Sequence, residues 1–96
     1  MSAYLIGHVN VRDAEHWAQY RSSVPGTLTR WGGELVFRGR LAQTLSGPQP
    51  YAETVVLRFP DLASIDEWHR SDEYQALIPI RQVAADVLLS SYQSDD

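Results

Sequence analysis

The chain contains no cysteine and no lysine; all eight of its basic residues are arginines. Missing thiols exclude a disulfide framework, a thiolate metal site and a cysteine nucleophile, and suit a cytoplasmic protein. The arginines are scattered singly among twelve carboxylates, for a net charge of −4. The basic stripe that a nucleic-acid-binding domain requires is therefore absent. The start, "MSAYLIGHVN", puts no basic segment ahead of its brief apolar run, so neither a secretory signal nor a membrane anchor is expected. His8, His16 and His69 have no i, i+4 partners, and no metal or cofactor is expected. A G-x-S-x-G elbow, a P-loop and a dinucleotide fingerprint are all missing. No serine has an evident His and Asp partner, so a serine hydrolase is unsupported.

What remains is a small domain. Ninety-six residues allow one domain, taken as residues 3–93, with a polar tail at 94–96. Such a chain buries only roughly 60–65% of the surface its unfolded form exposes. "AYLIGHVNV" (3–11), "ELVFRGRL" (34–41), "AETVVLRF" (52–59) and "DVLLSSY" (86–92) read as strands. Between the first two, Trp17, Tyr20, Val24, Leu28 and Trp31 step by three or four, the spacing of one helical face, with Asp13 as cap. Pro25–Gly26 inside that pattern predicts a kink or a break, and Gly32–Gly33 an end. After Pro60, Asp61 or Ser64 caps a second helix whose stripe is Leu62, Ile65 and Trp68. The order strand, helix, strand, strand, helix, strand predicts an α+β, ferredoxin-like βαββαβ fold with a four-stranded antiparallel sheet.

Residues 66–81, "DEWHRSDEYQALIPIR", crowd charges and aromatics together. Ser71 capping a new helix, with Trp68, Tyr74, Leu77 and Ile78 packing inward, accounts for most of the stretch. Pro79 is expected to end the helical run, leaving Arg81 in a turn, free to tie down carbonyls or bind an anion. His69 and Arg70 lie off the apolar stripe and read as solvated.

Alternation assigns Leu5, Val9, Val11, Leu35, Phe37, Val55, Leu57, Phe59, Val87 and Leu89 to the face beneath the helices. The opposite face receives Tyr4, Ile6, His8, Asn10, Glu34, Val36, Arg38, Thr54, Val56, Arg58, Asp86, Leu88 and Tyr92. Ile6, Val36, Val56 and Leu88 would each gain roughly 1.5–3 kcal/mol on full burial. A second copy of the same sheet is the economical cover, which predicts a homodimer. Hairpin register sets Val36 opposite Val56 and Glu34 opposite Arg58, and parallel pairing of the first and third strands would add His8 beside Arg58. A Glu34–Arg58–His8 row is either an interface ion pair or a ligand site, because an unpaired buried Arg costs several kcal/mol.

"WGGELVFRGR", "VVLRFPDLASIDEWHRSDEYQAL" and a later Arg before the last strand resemble the DUF1330 family of the dimeric α/β-barrel superfamily. The most specific matches are Arg38–Gly39, Phe59–Pro60 and Ser71 to Gln75. The resemblance covers Tyr4 to Tyr92 and implies a ferredoxin-like fold with two facing sheets, but no established reaction. Arg58 stands where the family often has an acidic residue. "EWHRSDEY" is also similar to the helix-end segment of haem-degrading monooxygenases, with Trp68 and Asn10 at the positions of functional residues. Their haem-ligating His falls at Ile78, which cannot coordinate iron.

The resulting expectation is a homodimer binding a small anionic or aromatic molecule in a cleft at the sheet. Arg38, Arg58 and Arg81 would supply charge, Tyr4 and Trp68 flat surface, and His8, Asn10 and Glu34 hydrogen bonds. Catalysis, if present, would be monooxygenase- or isomerase-like proton abstraction with His8 as base. A non-catalytic structural or interaction module is the alternative.

Overall fold

In the computed structural model, which describes residues 2–95, Asp13 opens the first helix. Its carboxylate accepts the backbone N–H groups of Glu15 and His16, both at 3.1 Å, satisfying two donors that have no partner within the helix. Helix α1 spans Ala14–Leu28 and buries Trp17, Tyr20, Thr27 and Leu28. It runs through Pro25 instead of breaking there. Proline removes one N–H, the one that would bond the Arg21 carbonyl, and the buried stripe on either side keeps the helix continuous. A 3₁₀ turn, Thr29–Trp31, ends at Gly32 with φ 71°, a left-handed position that glycine takes without a Cβ penalty.

Strands β1 (Ala3–Val11), β2 (Glu34–Arg40), β3 (Glu53–Phe59) and β4 (Ala85–Gln93) form one sheet in the order β2-β3-β1-β4. Every neighbouring pair is antiparallel, so the fold is α+β and ferredoxin-like, as expected. The expected parallel pairing of β1 with β3 is corrected. Helix α1 returns the chain so that β2 runs along β1, and the following connection reverses β3 against both. Helix α2 (Leu62–Arg70) is capped by Asp61, which accepts from Ser64 N–H at 2.7 Å. Ser71 Oγ caps α3 (Asp72–Gln75) by accepting from Tyr74 N–H at 3.2 Å. Pro79 does not end a helix; it sits in the first turn of α4 (Ile78–Ala84), where its missing N–H costs nothing. Arg81 is consequently inside a helix and not in a turn.

All the helices lie on one side of the sheet, giving a slab of 33 × 32 × 16 Å. Leu5, Val9, Leu57 and Phe59 meet Trp17, Tyr20, Leu28, Ile65, Trp68 and Tyr74 in the core. The chain ends meet through Ser94 N–H and the Ser2 carbonyl at 3.1 Å; Asp96 of the predicted tail lies outside the described residues.

One irregularity decides the site. Leu35 faces Leu57, yet Phe37 faces Val56 and Arg38 faces Val55. Val36 is the extra residue of a β-bulge, and beyond a bulge the inward and outward positions exchange. Phe37 and Arg38 are therefore on the faces opposite to those that simple alternation assigns. Phe37 turns outward, 55% exposed, and its ring lies over Gly39, where a Cβ would come within 2.4 Å of it. Arg38 turns toward the helices.

Candidate functional site

On the open face the predicted row forms only in part. Arg58 is opposite both Glu34 and Tyr4, and its guanidinium donates to the Glu34 carboxylate. That bond, and then the Glu34 charge, strengthen Arg58's hold on its proton. His8 is opposite Thr54 instead, four residues along the strand from Tyr4, or about 13 Å. Its Nδ1 is 3.1 Å from Thr54 Oγ1, and its ring stacks on Tyr51 with centroids 5.9 Å apart. Asn10 donates from Nδ2 to the Pro50 carbonyl and accepts Ala52 N–H at Oδ1, both at 2.9 Å. His8 and Asn10 thus hold the 41–52 loop against the sheet, and the expected His8–Arg58–Arg38 convergence does not occur.

The bulge brings Arg38 to a different place. A cavity of about 50 Å³ lies between α1 and the sheet, with Leu5, Val9, Val55 and Leu57 on its floor and Trp17, Tyr20 and Val24 above. Trp68 closes one side, and Arg21 and Arg38, both exposed, stand where it meets solvent. At roughly 10–15 Å³ per water, the space holds a few waters.

The polar atoms of the cavity wall differ in how they are satisfied. Trp68, 1% exposed, donates from Nε1 to Thr27 Oγ1 at 2.9 Å, and Thr27 Oγ1 donates in turn to the Val24 carbonyl at 2.7 Å. Trp68 packs on Tyr74 and Phe59 at 4.2 and 5.6 Å between centroids, which makes it a pillar of the core. Trp17 is only 7% exposed and stacks on Tyr20 at 5.2 Å, but its indole Nε1 finds no acceptor among the described residues. An unmade buried hydrogen bond of this kind costs roughly 1–3 kcal/mol.

Tyr20 Oη lies 2.9 Å from Tyr74 Oη, and Arg81 donates to Tyr74 Oη at 2.7 Å. Burial first, and then Tyr74, hold the Tyr20 phenol protonated well above the ordinary tyrosine range. Arg81 therefore reaches the cavity only through this chain of hydroxyls. Partial burial, and then the neighbouring Arg21 guanidinium, loosen Arg38's hold on its proton. Among the described residues no His, Asp or Glu lines this space.

A wider, open cleft of about 430 Å³ runs beside α2 and β4, lined by Asp66, His69, Arg70 and Ser91. It shares the walls Leu5 and Leu89 with the cavity, and His69 and Arg70 are exposed in it. Among the described residues no group of three or more His, Cys, Asp or Glu is placed to hold a metal ion, and no helix is long and apolar enough to cross a membrane. Sequence reasoning counted Trp17 and Tyr20 as packing residues and passed over Arg21. Arg21's place directly after a stripe residue was the available signal, but its partner Arg38 is visible only once the bulge is known.

Comparison with known proteins agrees with the fold. A protein of unknown function from Rhodopseudomonas palustris, RPA0582, superposes with a TM-score of 0.83 at 23% identity, over 99% of this chain and 83% of that one. A dimeric ferredoxin-like protein of unknown function from Jannaschia sp. CCS1 gives 0.75 at 12% identity, over 98% and 100% of the two chains. SnoaB, a cofactor-independent oxygenase from Streptomyces nogalater, gives 0.72 at 6% identity, over 99% and 94%. No functionally curated protein matches the chain. The profile of one family aligns with residues 2–91, nearly the whole of the fold just described, and the chain is therefore a member of the domain of unknown function DUF1330 family.

Proposed function

We propose that the protein is a homodimeric binding protein for a small molecule, part of which enters the cavity between α1 and the sheet. One observation carries the reading: Trp17, whose buried indole N–H has no acceptor among the described residues, lines a largely apolar cavity. Small-molecule sites have this character, with apolar walls and a few convergent polar groups. The residues around this space favour binding over turnover. Proton abstraction needs a base within hydrogen-bond reach of the substrate, and among the described residues no His, Asp or Glu lines the cavity. SnoaB shares the fold, but nothing in this cavity supplies a base for cofactor-free oxygenation.

The dimer follows from the open face. Phe37, Leu88 and Tyr92 are 55%, 46% and 49% exposed there, flanking the half-buried Ile6 and Val56. A slab face of 33 × 32 Å exceeds the approximately 800 Å² per partner of a standard interface. The dimeric description of the Jannaschia protein supports the same assembly here.

The test is a ¹H–¹⁵N NMR titration with monocyclic aromatics, neutral and acidic, following the three indole N–H resonances assigned by Trp→Phe substitution. Binding in the cavity moves the Trp17 resonance and leaves that of Trp31 in place. If no compound in the series moves it, the reading fails.

A further inference from the structure

The connection between β2 and β3 carries the most exposed large apolar side chain among the described residues, Leu45, at 87%. Single surface leucines are ordinary, but this one sits on a loop that is fixed in place. Leu41 N–H donates to the Ala52 carbonyl at 2.7 Å, closing the base of the loop. Asn10 holds Pro50 and Ala52, and Tyr51 stacks on His8. His8 and Asn10 belong to the open face, so the loop is pinned on the side of the sheet away from the helices. There it encloses with the sheet a hollow of about 240 Å³, lined by Phe37, Leu41, Gln49, Tyr51 and Thr54. Residues 41–52, "LAQTLSGPQPYA", hold no charged residue in a chain that is 21% charged. Depletion of charge marks the core of an interface, not a loop left in water.

We infer that the 41–52 loop is an arm of the homodimer, with Leu45 buried against the second copy of the chain. This rests on the homodimer reading above and adds the element that grips the partner. The loop stands on the same face whose area exceeds that of a standard interface. A copy that closes over Ile6, Val56 and Leu88 therefore meets the loop as it closes, and apolar Leu41 and Leu45 continue the patch it covers. Pro48 and Pro50 restrict the loop before association, which lowers the ordering cost of docking it. Two-fold symmetry makes each protomer give one arm and receive one, so every change at Leu45 counts twice.

Sedimentation equilibrium measures the dimer dissociation constant of the parent and of the Leu45→Ser, Leu45→Met and Val83→Ser variants. Leu45→Ser should weaken the dimer at least about a hundredfold. Leu45→Met keeps the apolar volume and should stay within about tenfold of the parent. Val83, 56% exposed on α4 at the helix side, is the control, and Val83→Ser should match the parent. Leu45 lies outside the core, and circular dichroism checks that each variant is folded. Leu45→Cys supplies a second readout, because it puts a single thiol in a cysteine-free chain. Alkylation of that thiol by iodoacetamide should be at least about tenfold slower where the variant is dimeric than where dilution has dissociated it. A Leu45→Ser dimer as tight as the parent's, or a thiol that reacts equally fast in both states, overturns the inference. Either result assigns the loop to a different occupant and leaves the homodimer reading intact. A parent that stays monomeric at micromolar concentration brings both down.

Discussion

Leu88→Asp is the sharpest test of the assembly. Leu88 lies on the open face of β4, opposite His8, and is 46% exposed, so the substitution spares the core beneath the helices. Full burial of a leucine is worth roughly 1.5–3 kcal/mol, and the half still to be gained on association is about 1 kcal/mol per protomer. An aspartate carried into a covered face loses that and adds an unpaired carboxylate, at a cost of roughly 3 kcal/mol or more. Asp86, on the same face, contributes like-charge repulsion. Two-fold symmetry places the change at both copies, for a total of about 8 kcal/mol. Even half of that, about 4 kcal/mol, weakens the dimer roughly a thousandfold. Leu88→Ser isolates the apolar part and should cost about 2 kcal/mol, or roughly thirtyfold. Sedimentation equilibrium and light scattering across nanomolar to micromolar concentrations measure both, with circular dichroism as the check on folding. A folded Leu88→Asp protein that dimerises like the parent refutes the argument, as does a parent that stays monomeric at micromolar concentration.

Other outcomes follow from named contacts. Thr27→Val leaves the Trp68 indole N–H without an acceptor and should cost about 1–3 kcal/mol, seen as a melting temperature lower by roughly 4–8 °C per kcal/mol in a domain of this size; Thr27→Ser keeps the hydroxyl and should recover most of it. Asn10→Ala removes the two hydrogen bonds from Asn10 to the 41–52 loop and should speed hydrogen exchange at the Ala52 amide, with little change in the core. Asp13 is held below its ordinary pKa of 3.8 by the His16 backbone and side-chain bonds. Because the folded value is the depressed one, its contribution is complete above about pH 4 and fades as pH falls through the folded pKa. The melting-temperature gap between the parent and Asp13→Ala should therefore be steady from pH 5 to 7 and should close in stronger acid.

Much of the architecture was legible because it is written in local terms. Asp13, Asp61 and Ser71 cap helices where short polar side chains precede apolar stripes, and Gly32 ends one where only glycine is comfortable. Pro79 was ambiguous in the sequence, since the residue that stops one helix also suits the first turn of the next. The Glu34–Arg58 pair was predicted from hairpin register, but the same count set Val36 opposite Val56; the structure puts Phe37 there, and the extra residue at Val36 brings the count back into step only at Leu35 and Glu34. Beyond Glu34 the count fails at Val36, where one extra residue exchanges the faces of Phe37 and Arg38.

The candidate site illustrates the division. Residue types alone determined that there would be an aromatic core under a single layer of helices, an open face carrying apolar side chains, and no thiol chemistry. Which polar groups meet was decided by tertiary structure: the direction of β3 moved His8 away from Arg58, and the bulge turned Arg38 toward Arg21 and the cavity beneath Trp17. Strand direction and bulges depend on pairing between segments distant in the chain, and their energies appear only when those segments touch.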